Sequence, residues 1–152
     1  MTVSLNAFII NCYKTKETRI MSGIVELDEL LELMSPELQD GEYIFCTLEN
    51  DYLDYEHLNP LASFKEAEGL TLIISVEAAI KAKIAFEGTY KQITLTVHSS
   101  LEAVGLTAAV ATKLTSYGIS ANVIAAYHHD HIFVQTQNAE QALLALKEFG
   151  VG

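Results

Sequence analysis

The sequence predicts an α+β protein of two αβ sandwich modules with antiparallel sheets, and three observations carry that expectation. Its 152 residues hold two half-size modules comfortably. Segments of period two alternate with segments of helical spacing along the chain. Each half, taken in order, approximates a βαββαβ split-βαβ pattern with one terminal strand missing.

The first twenty residues stand apart as an extra N-terminal segment. Asn6 to Ile10 is apolar but lacks the charged start and small-residue cleavage site of a secretion signal. Two readings stay open: translation begins at Met21, or Val3 to Ile10 forms an extra strand. From Val25 to Leu38, residues Leu27, Leu30, Leu31, Met34 and Leu38 recur at spacings of three and four, which predicts an amphipathic helix. Early acids suit its positive end, and Pro36 limits its last turn. After the Asp40-Gly41 turn signal, Tyr43 to Leu48 is apolar on both alternations and reads as an inner strand.

Glu49 to Ala62 mixes Asn, Asp and Pro with the anchors Tyr52, Tyr55 and Leu58, and reads as a long loop. Phe64 to Glu68 leads through Gly69 into a second buried strand, Leu70 to Ser75. Val76 to Lys83 is a short helix with Val76, Ala79 and Ile80 inward. Ile84 to Tyr90 follows as a possible strand broken by Gly88. The first half therefore reads αββαβ, over residues 21–90.

The second half, residues 91–152, reads βαββα. Ile93, Leu95 and Val97 alternate with Gln92, Thr94 and Thr96, a strand with one buried face. Leu106, Ala109, Val110, Leu114 and Tyr117 follow helical spacing up to Gly118. Asn122 to Tyr127 and Ile132 to Thr136 are strands joined through His129-Asp130, and Ala139, Ala142, Leu143, Leu146 and Phe149 stripe a last helix.

Composition excludes several function classes. Nine basic against twenty acidic side chains give a net charge of -11, which repels phosphate backbones and anionic lipids. Nucleic acid and membrane partners are not expected. Cys12 and Cys46 lie far apart without metal-ligand spacing, so a reducing cytoplasm is expected. Half of the residues are apolar, enough for a core without staples.

Ile93 to Val97, Val104-Gly105-Leu106, Leu114, Gly118-Ile119-Ser120 and His129 to Val134, in that order, resemble an ACT domain over about sixty residues. Ala67 to Leu72 and the stretch from Val97 to Gly105 are also similar to small bacterial proteins with tandem ACT-like halves, to aspartate kinase regulatory ends and to cytosolic arginine sensors. The resemblance implies a ferredoxin-like fold and a regulatory protein that binds an amino-acid-like effector between paired modules. It also implies a homo-oligomer and an unknown partner protein under its control. No enzyme is attached.

The candidate site is the loop after the first strand of the second half. A strand end followed by a helix start offers unpaired N–H groups and a positive dipole end to a carboxylate. His98, Ser99 and Ser100 add donors, and Leu101, Glu102, Ala103, Val104, Gly105 and Leu106 complete the loop. By resemblance it faces Asn122, Val123, Ile124 and Ala125 of a partner module, whose backbone would hold an amino group. The alternative reading is that Ser99 and Glu102 form a capping box and merely start the helix.

Three further features carry weaker signals. His128 to His131 has metal-ligating side chains, but a tight hairpin points them apart, so a solvated turn is favoured and no metal or cofactor is expected. Glu66 and Glu68 could pair with a ligand's ammonium group, against the default of exposed loop acids. His98 with Ser99 or Ser100 is the residue set of a small hydrolase-like enzyme, but no triad or nucleophile elbow accompanies it. The expected function is thus a non-catalytic small-molecule sensor, with an assembly module lacking any ligand as the alternative.

Overall fold

A computed structural model of the chain describes residues 26–97 and 103–150. The expectations for Val3 to Ile10, for Met21 and for His98 to Glu102 fall outside these residues. Helix α1, Leu27–Leu33, is followed by strand β1, Pro36–Leu38. The helix is shorter than its apolar stripe suggests, because the stretch before Pro36 turns extended, with Met34 at ψ 123. Leu38 consequently reaches the core from a strand, not from a helix.

Strand β2, Tyr43–Leu48, is the inner strand expected. The stretch read as a long loop instead folds into helix α2, Tyr52–Tyr55, and a 3-10 turn, Glu56–Leu58. Tyr55 and Leu58, three residues apart, face the core while Tyr52 and Leu53 stay exposed. The polar residues between these anchors hid the helix. Strand β3, Ala62–Glu66, turns at Ala67-Glu68 into β4, Gly69–Ser75, so this region holds one strand more than the sequence suggested. Gly69 has φ +153, and a Cβ there would stand 2.9 Å from the Leu48 carbonyl oxygen. Only glycine lets the two backbones approach so closely.

Helix α3, Val76–Lys81, is capped by Ser75, whose hydroxyl accepts from the Ala78 amide. Ala79 is fully buried, but Ile80 is exposed, against expectation: the inward arc of so short a helix centres on Val76 and Ala79. Residues 84–89 form no strand, and β5 covers Tyr90–Leu95. Helix α4, Leu106–Ser116, strands β6, Asn122–Ala125, and β7, Asp130–Gln135, and helix α5, Ala139–Lys147, complete the described chain.

Among the described residues the strands make one antiparallel sheet in the order β3-β4-β2-β5-β7-β6, with β1 also paired to β5. Pro36 lies opposite Leu95 and Leu38 opposite Ile93, so β1 supplies the terminal strand that the second half lacks. Strand β5 also meets β2, but only at Tyr43 opposite Tyr90.

Ile93, Leu95, Ile132 and Val134 pack against α4, α5 and also α1, whose Leu30 is fully buried in the same cluster. A second cluster on the same face joins Ile44, Leu72 and Ile74 to Leu58 and Ala79. The opposite face is less solvated than the alternation in β5 suggests. Gln92 and Thr94 are 7% exposed, and Phe133 is buried within a ring cluster with Tyr43 and Phe45. Tyr90 adds an edge contact to Phe45 at 5.1 Å between centroids.

Candidate functional site

Of the loop predicted as the site, Ala103 to Leu106 is described. Gly105, at φ +104, is the N-cap of α4, and among the described residues no side chain caps that end. Ser99 and Glu102, on which the capping-box alternative rests, lie outside the described residues. A Cβ on Gly105 would meet Leu27 Cδ2 at 3.0 Å, so this glycine also serves the packing of α1 on α4. Val104 is 82% exposed beside it, Ala103 is half-buried and Leu106 is buried.

Asn122 to Ala125 form β6, the outer strand of the same sheet, paired only to β7 among the described residues. The Asn122 side-chain amide donates to the Phe133 carbonyl at 3.1 Å, while Val123 and Ile124 are half-buried. Leu95 and Ala125 both lie opposite Asp130. The end of β5, from which the candidate loop departs, and the end of β6 thus emerge on one edge of the sheet, two strand spacings or about 10 Å apart.

The histidine cluster separates as expected of a tight hairpin, closed by the Ala126 amide donating to the His129 carbonyl at 3.1 Å. His128 is exposed. His131 turns to the face opposite α4 and α5, where its Nδ1 lies 2.9 Å from Gln92 Nε2 and 3.0 Å from Thr94 Oγ1. Gln92 can only donate there, which favours a neutral ring protonated at Nε2. Burial holds the His131 pKa below its usual value, with His129 adding to the effect and Asp130 opposing it. Burial likewise raises the Asp130 carboxyl, against the pull of His131 and His129. Among the described residues no group of three or more His, Cys, Asp or Glu side chains could hold a metal ion.

The first half carries a cleft that the sequence did not single out as such, although Glu66 and Glu68, the acids it offered to an ammonium group, both line it. It measures about 620 Å³ and lies between the β2-to-α2 loop, Glu49 to Asp51, and the β3–β4 hairpin with Lys65, Glu66 and Glu68. Lys65 Nζ bonds Asp51 Oδ1 at 3.2 Å across it, and the Thr71 hydroxyl donates to Glu66. Both partners of the Lys65–Asp51 pair are more than three-quarters exposed, so the pair holds the loop only weakly and is open to exchange. One cation and several carboxylates around a concave space suit a zwitterion. The signal in the sequence was the unusually long polar stretch after β2.

The Glu49 to Asp51 loop of this cleft and the candidate loop are equivalent connections in chain order, each leading from the first strand of a half, β2 or β5, to its first helix, α2 or α4. Among the described residues no helix is long and apolar enough to cross a membrane.

Comparison with known proteins adds three findings. Residues 22–91 and residues 87–148 each match a family model described as an ACT domain. A crystal structure of VC0802 from Vibrio cholerae, described as a protein of unknown function and possible transport protein, is 57% identical with a TM-score of 0.77, covering 82% of this chain and 95% of that one. Two more distant structures share the fold: Atu0741 from Agrobacterium tumefaciens, at 14% identity, TM-score 0.62, and 77% and 89% coverage, and the regulatory subunit of aspartate kinase from Thermus flavus, at 9%, 0.55, and 78% and 98%. Among curated proteins none matches the chain.

Proposed function

Because the chain belongs to the ACT-domain family, we propose that it is a non-catalytic regulatory protein that binds an amino-acid-like effector and changes the behaviour of a partner protein. ACT domains generally bind small-molecule effectors and often form oligomers, and regulatory-domain neighbours are typically non-catalytic. In this reading the modules are residues 21–90 and 91–152, the second completed by β1 from the first. The observation that carries it is the cleft at the strand-to-helix loop of the first module. There Lys65 offers a cation to a carboxylate, and Asp51, Glu66 and Glu68 offer anions to an ammonium group. In the second module the equivalent place is His98 to Leu106, with Asn122 to Ala125 as the facing strand.

The assembly reading draws on a different observation: Phe64 is 69% exposed on β3, an outer strand whose free side could pair with another copy. A thermal-shift screen of free amino acids on the full chain separates the two. An effector at 100 times its dissociation constant stabilises by about 2.7 kcal/mol. Lys65→Ala should abolish that shift while leaving the unliganded melting temperature within about 0.5 kcal/mol of wild type, as expected for an exposed side chain. No shift with any compound, together with a sedimenting oligomer, overturns the effector reading in favour of assembly.

A further inference from the structure

Strand β2 is bonded along only one side. Against β4 it pairs over its whole length, from Tyr43 opposite Ser75 to Leu48 opposite Leu70, but against β5 it pairs only at Tyr43. The chain that would have to continue this second pairing turns away at Lys83, a residue at φ +58, and runs irregularly until Tyr90. The phase of the ladder follows from one bond. The Val76 amide donates to the Glu42 carbonyl at 2.9 Å, so Glu42 belongs to a hydrogen-bonded pair of the β2–β4 ladder. In an antiparallel pair such positions alternate, so Ile44, Cys46 and Leu48 bond to β4. The N–H and C=O groups of Phe45 and Thr47 therefore point the other way, where no strand meets them among the described residues.

What lies there is a cleft of about 680 Å³, walled by Phe45, Thr47 and Leu48 on one side and by Ile84, Phe86 and Tyr90 on the other. Independently of the effector reading, we infer that this gap in the sheet is a binding site for an extended peptide segment, which adds as a strand beside Phe45 and Thr47. Two donors and two acceptors at strand spacing are what a peptide main chain complements, and bonds of this kind give affinity in strand addition. The unpaired stretch from Ile44 to Leu48 spans about 16 Å at roughly 3.3 Å per residue, room for four or five peptide residues. Ile84 and Phe86 rest on the first-half core and offer an apolar floor to alternate side chains, while Phe45 and Tyr90 flank the other face. Among the described residues Lys83 and Glu87 are the only charged ones lining the cleft. One of each sign favours a peptide that is uncharged through its middle.

The probe is a fluorescein-labelled, capped peptide of alternating valine and threonine with a lysine at each end, titrated into the full chain by anisotropy and by amide exchange in NMR spectra. Saturable binding is expected, with exchange at Phe45 and Thr47 slowed about tenfold or more. N-methylation of the peptide amides that would meet the Phe45 and Thr47 carbonyls should weaken binding by about tenfold, a comparison that needs no variant of the protein. Thr47→Pro, which deletes an N–H pointing into the gap and not into the β4 ladder, should weaken binding similarly. No saturable binding at millimolar peptide overturns the inference. So does binding indifferent to methylation, or protection that appears in Ala62 to Glu66 or Asn122 to Ala125 in place of Phe45 and Thr47.

Discussion

Helices of eleven and nine residues, α4 and α5, cover the second half of the sheet, whereas helices of four and six residues, α2 and α3, cover the first. The difference extends inward. The second-half cluster also draws in Leu30 and Met34 from the start of the described chain, while the first-half cluster has only Leu58 and Ala79 as its buried helical or turn residues. Stability is not uniform across a protein, and regions with few buried apolar contacts open first. Two halves of similar topology can thus divide the work: a more densely packed platform on one side, and a looser half on the other that carries both the Lys65 cleft and the cleft beside Phe45.

The largest effect expected from this contrast is at Leu30. Leu30→Ala should lower stability by about 2–5 kcal/mol, the range for emptying a well-packed site, whereas Leu58→Ala, in the smaller cluster, should fall near 2 kcal/mol. Urea denaturation measures both. Equal losses would erase the distinction between platform and looser half. A loss at Leu30 that spared the amides of β5 would detach α1 from the second-half core.

Gly105→Val should cost about 1–3 kcal/mol, because the valine would be forced into a positive φ and against Leu27. That substitution therefore tests packing as well as binding. Val104→Asp is the cleaner probe of the loop, since the side chain is exposed and its stability effect should stay within about 0.5 kcal/mol. If the second-half loop takes an effector carboxylate, the added negative charge weakens binding without moving the melting temperature. Unchanged affinity would leave the first-half cleft as the site.

The smallest effect concerns pH. His131 is held neutral by burial, so its pKa lies below the 6.5 of the unfolded chain. Its contribution is present above that value and is lost as pH falls below it. Asp130, raised from 3.8 by burial, works in the opposite sense, favouring the folded state as pH falls, so the comparison is between wild type and His131→Asn. Wild type should lose stability between pH 7 and pH 5 more steeply than the variant. Parallel curves would mean that the Gln92 and Thr94 contacts do not depend on the charge of the ring.

Much of the second half was legible in the sequence because its elements are long enough for periodicity to speak. Leu106, Val110 and Leu114 gave α4, and Ile93 with Leu95 gave β5. In the first half the elements are too short. Three anchors among acids and asparagines concealed α2 and its 3-10 turn, and β3, exposed at four of its five positions, shows no apolar alternation. The family resemblance was carried by order and spacing, and both family models follow it. The loop of the second half could be proposed from its residues. The cleft of the first half could not, because it depends on Asp51 and Lys65 meeting across a hairpin fourteen residues later.

The loan of β1 to the second half also has a mechanical meaning. Helix α1 and the C-terminal turn, Glu148–Gly150, pack together, so both ends of the described chain lie in the second half. The first half joins it through two linkers, residues 39–42 and residues 84–89, which enter β1 and β5, and through the Tyr43–Tyr90 pairing and the rings of Phe45 and Phe133. These are adjacent strands in register. A change of shape in the first half that reached these linkers would shear those two strands across the bonds that the Thr96 amide donates to the Ser35 carbonyl and the Gln39 amide donates to the Gln92 carbonyl.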